Sequence, residues 1–292
     1  MKTALQIIGE TAERFPRFAL TFSGGNDSNV LLDLVFTQTQ HRPPVIFCDS
    51  QLEYPESLDY VRRRVESYPD AYLHVTRGAI TPAEQWAKRG WPFLGKLSAR
   101  KFMQKYRHIG VKMDVTDCCR RLKIAPARQM TKDLGCKCQM TGQKGASDDA
   151  LRALRTLKDG AIHYAKADSL WISNPLTGWT DTMIRRYLRG RKIEPHPARA
   201  RGAVTIGCVV CGGGAQFDNS GWRILRDTWP EAWRHFFVAR GAGYAALAVK
   251  WRRNVYDVMA AVEKAGGLEK IATERPWLFD YLETPPRRGY RR

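Results

Sequence analysis

Six consecutive residues, Ser23-Gly24-Gly25-Asn26-Asp27-Ser28, combine two glycines with hydroxyl, amide and carboxylate groups of little bulk. They follow the apolar run Phe18-Ala19-Leu20-Thr21-Phe22 and precede Val30-Leu31-Leu32, which is the make-up of a nucleotide phosphate loop. The glycines let the chain turn sharply where a strand ends, and the next helix aims its N-terminal amides into the turn, where they favour an anion. The small polar side chains suit pyrophosphate and its metal ion. An ordinary Gly-Gly turn with Asp27 or Ser28 as helix cap is the alternative that six residues leave open. The loop has neither the GxxxxGK[ST] nor the GxGxxG spacing, so it is not a Walker sequence or a dinucleotide fingerprint.

Thiols form the second group of residues with chemical potential. The seven cysteines are bunched as Cys118-Cys119, Cys136-x-Cys138 and Cys208-x-x-Cys211, with Cys48 apart. An odd number in a long chain is unlike a secreted disulfide framework and points to metal or redox use. Cys118, Cys119, Cys208 and Cys211 supply four thiolates, enough for a tetrahedral zinc ion or a 4Fe-4S cluster. Adjacent side chains diverge, which suits separate irons better than one zinc ion; structural zinc and unliganded thiols stay open. Gly212-Gly213-Gly214 would permit close backbone approach to a cluster. Cys48 reads as a small core residue. Cys136 and Cys138 are expected on one face of a strand, as core residues first, or as a redox pair or spare ligands.

These groups need a scaffold. The pattern predicts helix 4–14, strand 18–22, helix 27–37, strand 45–48, a helix opening at Pro55-Glu56-Ser57, and strand 72–75. Further strands are expected at 136–141 and 170–173, with a Gly142-Gln143-Lys144-Gly145 turn and helix 147–158 between them. Strands alternating with helices imply an α/β fold with a parallel sheet and helices on both faces. Ligands of such sheets sit beyond the strand C-termini, where Ser23–Ser28 and Asp49 fall. Trp222, Ile224, Leu225, Trp229, Trp233, Phe236 and Phe237 imply a C-terminal helical packing unit. The expected divisions are 1–214, a helical extension 215–284, and a basic disordered tail 285–292.

With 48 Lys and Arg against 29 Asp and Glu, the 292 residues carry a formal charge of +19, which favours a polyanionic partner. Residues 77–117 interleave Lys88, Arg89, Lys96, Arg100 and Lys101 with Trp86, Trp91, Phe93 and Phe102, as a nucleic-acid surface would. A solvated helical face over buried aromatics is the equal alternative. No stretch reaches the roughly 18 apolar residues of a membrane helix, and the N-terminus is unlike a signal peptide, so a cytoplasmic protein without membrane partner is expected.

Five ordered segments resemble the phosphoadenosine phosphosulfate reductase family: the Ser23–Ser28 loop, Asp49 to Ser57, Cys118 to Pro126, Asn174 to Thr180, and Ile206 to Cys211. The loop itself is similar to the SGGxDS loop of the ATP pyrophosphatase-like superfamily. The resemblance covers residues 18 to about 215 and implies an adenine nucleotide alpha-hydrolase-like, Rossmann-like fold. It implies that Ser23, Gly24, Gly25, Asn26, Asp27 and Ser28 hold nucleotide phosphates, with Gly142 and Lys144 beside them and Asp49 on the adenosine side. Asp27, Arg120 and Lys123 would serve the chemistry, with Arg121 also offsetting phosphate charge. It favours a 4Fe-4S cluster over zinc at Cys118, Cys119, Cys208 and Cys211.

Two departures redirect the reading. The family's reductases attack sulfur with a cysteine in a C-terminal Glu-Cys-Gly-type motif, and no cysteine follows Cys211 here. Lys144 stands where family members often carry arginine, replacing a bidentate fork by a point charge. The expectation is therefore an ATP pyrophosphatase-type enzyme that uses ATP and Mg2+ to adenylylate a nucleic acid for sulfur incorporation. DNA is preferred to RNA as the substrate, and a cysteine desulfurase would donate the sulfur, as in DNA phosphorothioation. The alternatives are a sulfonucleotide reductase acting on a small molecule, a tRNA thiolation enzyme, and a non-catalytic nucleotide- and nucleic-acid-binding subunit.

Overall fold

Along residues 18–22 the side chains alternate between two buried environments, which requires a strand covered on both faces. In the computed structural model, which describes residues 2–89, 118–145, 157–211, 220–239, 241–251, 253 and 255–275, that strand is central to a sheet. The elements begin α1 (Ala4–Arg14), β1 (Phe18–Thr21), α2 (Asn26–Gln38), β2 (Val45–Cys48), α3 (Ser57–Glu66), β3 (Leu73–Thr76) and α4 (Pro82–Arg89). They continue through a π-helical turn, Arg120–Ile124, into α5 (Ala125–Asp133), β4 (Cys138–Met140), β5 (Ile162–Ala165), β6 (Leu170–Ser173) and α6 (Asp181–Gly190). Most of the expected helix 147–158, the basic-aromatic stretch beyond residue 89, Gly212–Gly214 and the tail 285–292 lie outside the described residues.

The chain divides into two compact units. The first, residues 1–50, 55–79 and 122–197, holds a six-stranded sheet of order β3-β2-β1-β4-β6-β5. Leu20, Phe22, Val45, Phe47, Cys138 and Met140 share one core cluster with apolar residues of α1, α2, α3 and α6. Ala19, Ile46 and Cys136 pack with Ala127 of α5 on the other face. The expected helices on both faces are therefore present.

One strand departs from the all-parallel expectation. β5 pairs antiparallel with β6, joined to it by a tight turn in which Ser169 is left-handed at φ 48°. An edge strand buries little, so the polar pair His163-Tyr164 carries no alternation strong enough to announce it. A second correction concerns Cys136 and Cys138, which face opposite sides of the sheet. β4 starts only at Cys138; Cys136 still belongs to the turn closing α5, its N–H donating to Thr131 O at 3.0 Å. Both thiols are buried, and burial pushes that of Cys138 up to about 12, as befits core residues.

Asp33 of α2 is 3% exposed and accepts from Tyr68 Oη at 2.9 Å, Tyr187 Oη at 2.7 Å and Arg191 Nε at 2.8 Å. Burial opposes its charge, but the bonds from Arg191, Tyr187 and Tyr68 outweigh it and hold the carboxyl below its ordinary value. Stability from a lowered carboxylate is present above the unfolded value of about 3.9 and lost as pH falls through the folded one. Asp33→Asn is expected to lower stability by about 2 kcal/mol at pH 7. In urea titrations the gap to wild type should close as the pH drops below about 3.9.

The second unit takes residues 51–54, 80–121 and 198 onward. It contains α4 and the helices α7 (Ser220–Thr228), α8 (Pro230–Trp233), α9 (Ala242–Trp251), α10 (Val255–Lys264) and α11 (Gly267–Glu274). Trp222, Ile224, Leu225 and Phe237 are buried in its core, with Trp229, Trp233 and Phe236 packed against it, as their spacing predicted. Among the described residues no helix is long and apolar enough to cross a membrane.

Candidate nucleotide site and cysteine group

The strand order reverses between β1 and β4: β2 and β3 follow on one side, β6 and β5 on the other. At such a switch point the loops leaving the two central strands part and open a crevice at their C-terminal ends. The chain leaves β1 into Ser23–Ser28 and leaves β4 into residues 141–145.

In the first loop Gly24 is left-handed at φ 75° and presses against Tyr60 and His196, where a Cβ would come within 3.3 Å of Tyr60 Cδ1. Gly25 is the N-cap of α2 and brings no side chain to the first amides, so neither Asp27 nor Ser28 caps the helix. Ser28 Oγ instead donates to Gly25 O at 2.9 Å and lies 3.1 Å from Ser23 Oγ. Asn29 Nδ2 donates to Gly24 O at 3.1 Å and Gly25 O at 3.0 Å, while its Oδ1 accepts from Arg64 Nε at 3.1 Å and from Tyr60 Oη. His196 Nε2 lies 3.1 Å from Ser57 Oγ. The loop is thus braced from behind with its amide end unclaimed by any capping side chain, the arrangement of a preformed anion cradle.

The second loop closes on the first. A Cβ on Gly142 would lie 3.1 Å from Asp27 C and Ser28 N, so only glycine lets the backbones meet at this distance without displacement. Two residues on, Lys144 is buried, and its ammonium bridges Asp27 Oδ1, at 3.2 Å, and the carboxylate of Asp181 at the start of α6. Burial pulls this ammonium down, but the bond it donates to Asp181 and the charges of Asp27 and Asp181 outweigh it and keep Lys144 cationic. Thr141 Oγ1 donates to Asn174 Oδ1 at 2.6 Å, tying the ends of β4 and β6 together. Asp49 directly follows β2 and pairs with Arg77 at 2.9 Å.

The first unit therefore brings together Ser23, Gly24, Gly25, Asn26, Asp27, Ser28, Gly142 and Lys144. The sequence reading missed Asp181, Asn29, Tyr60 and His196. The signal for Asp181 was its place after Thr180, which caps α6 through Met183 N. Lys123 is half-buried in the turn leading to α5, and Arg120, exposed, belongs to the second unit.

All four candidate ligand cysteines lie in the second unit. Cys208 and Cys211 flank a turn closed by Cys211 N–H to Cys208 O at 3.2 Å, held by Val209 N–H to Leu52 O and Trp222 Nε1–H to Cys211 O. Cys118 is buried and its neighbour Cys119 exposed. Among the described residues no three His, Cys, Asp or Glu side chains converge to hold a metal ion. As placed, Cys118, Cys119, Cys208 and Cys211 do not form such a group.

The phosphoadenosine phosphosulfate reductase domain matches residues 17–213. An adenosine 5'-phosphosulfate reductase of Anoxybacillus flavithermus is 26% identical over 192 residues, covering 65% of this chain and 70% of its own. A phosphoadenosine 5'-phosphosulfate reductase of Thiocapsa roseopersicina is 28% identical over 201 residues, 66% of this chain and 71% of its own. The crystal structure of a phosphoadenylyl-sulfate reductase from Candida auris aligns with TM-score 0.49 at 19% identity, covering 71% of this chain and 88% of that one. The chain belongs to the phosphoadenosine phosphosulfate reductase domain family.

Proposed function

We propose that this chain is an ATP pyrophosphatase-type enzyme that binds ATP with Mg2+ at the Ser23–Ser28 loop and adenylylates a nucleic acid so that sulfur can replace an oxygen. The observation that carries the reading is the pair of carboxylates, Asp27 and Asp181, sharing Lys144 beside an anion cradle. A polyphosphate brought next to two carboxylates calls for more positive charge than one ammonium. Mg2+ is bound by one or two carboxylates plus substrate phosphates, so Asp27 and Asp181 are a suitable donor set, and the ion when bound would neutralise phosphate charge.

In this reading the α2 amides and Lys144 hold the pyrophosphate portion, while the acceptor oxygen attacks the α-phosphorus. A P–O bond forms to the acceptor as the bond to pyrophosphate breaks, and the leaving electron pair rests on pyrophosphate beside Lys144. The terminal sulfur of a donor persulfide, such as that of a cysteine desulfurase, then displaces the adenylylated oxygen as AMP, and an external dithiol reduces the resulting acceptor–S–S–donor bond to free the donor cysteine. The charge of +19 supports a polyanionic acceptor; in this reading it is DNA before RNA, met in the cytoplasm. The test is pyrophosphate release from ATP and Mg2+ with DNA, RNA or neither. Release stimulated by nucleic acid is expected, and its absence at low salt with both polymers overturns the reading.

A second reading, reduction of a sulfonucleotide, is favoured by the names of the relatives. Sulfite formed from adenosine or phosphoadenosine phosphosulfate with thioredoxin, without pyrophosphate from ATP, would establish it instead. An iron-sulfur cluster or zinc ion at Cys118, Cys119, Cys208 and Cys211 is a separate proposal. Thiolate-to-iron charge-transfer absorption in anaerobically purified protein, lost in a Cys208→Ser variant, would support the cluster.

A further inference from the structure

Helix α6 has two unlike sides. Ile184, Tyr187 and Leu188 pack into the core of the first unit, and Tyr187 and Arg191 reach Asp33. On the opposite side Arg185, Arg186 and Arg189 are exposed, with Lys192 exposed just past the helix end. Among the described residues these four cations have no carboxylate partner; the nearest bond is from Arg185 Nη2 to Thr182 Oγ1 at 3.5 Å. Arg185 and Arg189 stand four apart, Arg186 and Arg189 three apart, so like charges repel along the helix. The fold tolerates this repulsion, and an external polyanion would relieve it.

The position of the stripe indicates which polyanion. α6 begins with Asp181, the residue bonded to Lys144 at the nucleotide site. At about 1.5 Å per residue, Arg185 is about 6 Å and Arg189 about 12 Å along the helix from that contact. The cations form a row leading away from the loop. Three of the four are arginines, whose planar forks match phosphate oxygens bidentately. The same face exposes Met183 and Thr182 and no aromatic group, which is poor material for the apolar centre of a protein–protein interface.

We propose that the exposed face of α6 holds the phosphodiester backbone of the nucleic-acid substrate and leads it to the nucleotide loop. This rests on the function proposed above. The experiment is fluorescence anisotropy with a labelled single strand and a labelled duplex, between about 50 and 200 mM salt, on wild type and on the triple variant Arg185→Gln/Arg186→Gln/Arg189→Gln. The variant is expected to bind at least about tenfold more weakly at low salt, with the slope of log affinity against log salt reduced by about 2 for the strand and 3 for the duplex.

The corresponding triple lysine variant should restore the slope. Should the glutamine triple fail to fold, Arg186→Gln and Lys192→Gln singly should each reduce the slope by about 0.7 to 0.9. Unchanged affinity and slope overturn the assignment, as does wild-type protein that binds polyglutamate as tightly as nucleic acid. The chemistry is read separately, as pyrophosphate from ATP. Binding through α6 without pyrophosphate release would keep the face and sink the chemistry; release with binding unaltered in the variant would do the reverse.

Discussion

Lys144→Ala is expected to lower turnover of the nucleotide by about 10²- to 10³-fold, the range seen when one preorganised charge-stabilising donor is removed. The ammonium is buried between Asp27 and Asp181, and nothing in an alanine side chain replaces it. Two carboxylates would then face the incoming phosphates, so the nucleotide should bind more weakly as well as react more slowly. Separate measurement of KM and kcat divides these effects. If Lys144 acts on the departing pyrophosphate, kcat falls in its own right; a rise in KM alone would reduce its role to binding. Lys144→Arg keeps the charge and supplies a fork, and is expected to recover part of the loss. Full activity in Lys144→Ala would remove the site from consideration.

Trp222→Ala is expected to cost about 3 to 5 kcal/mol, the range for truncating a large buried aromatic side chain. Trp222 is 1% exposed, packs on Phe237 with ring centroids 5.4 Å apart, and gives its N–H to Cys211 O at 3.2 Å. Phe237 in turn stacks on Trp233 at 4.8 Å, so the cavity would open in the centre of the second unit's core. In urea the second unit should unfold before the first, and fluorescence should separate the transitions. Trp222→Phe retains most of the bulk and loses the hydrogen bond, with an expected cost of about 1 kcal/mol. Because that bond holds the Cys208–Cys211 turn, both variants should react faster with thiol reagents.

The loop and most of the sheet were legible because their information is local. A strand buried on both faces is written as an apolar run, and Gly-Gly after it is written as a turn; β1, β2, β4 and β6 carry such marks, and the edge strand β3, half-buried, is marked by the alternating apolar pair Leu73 and Val75. β5 does not, since that edge strand is held by its neighbour and not by its own composition. The faces of Cys136 and Cys138 were misjudged because a two-residue offset sets the face only within a strand, and Cys136 lies before β4 begins. Asp181 pairs with Lys144 across 37 residues, and His196 lies by Ser57 across 139. No local pattern records such meetings; they follow from the sheet order that places α6 and the end of β1 at one pole.

The meeting of Gly142 with the backbone between Asp27 and Ser28 has a consequence for how the chain can vary. With 3.1 Å available, every side chain larger than hydrogen must push the first loop outward by tenths of an ångström, moving the amides that would face phosphate. Gly9 and Gly190, by contrast, have open space where a Cβ would stand. In a library of all single substitutions selected for activity, position 142 should therefore empty while positions 9 and 190 fill. Selection for folding alone should spare many of the variants lost at 142, so comparing the two screens would locate the nucleotide pole without any ligand being known.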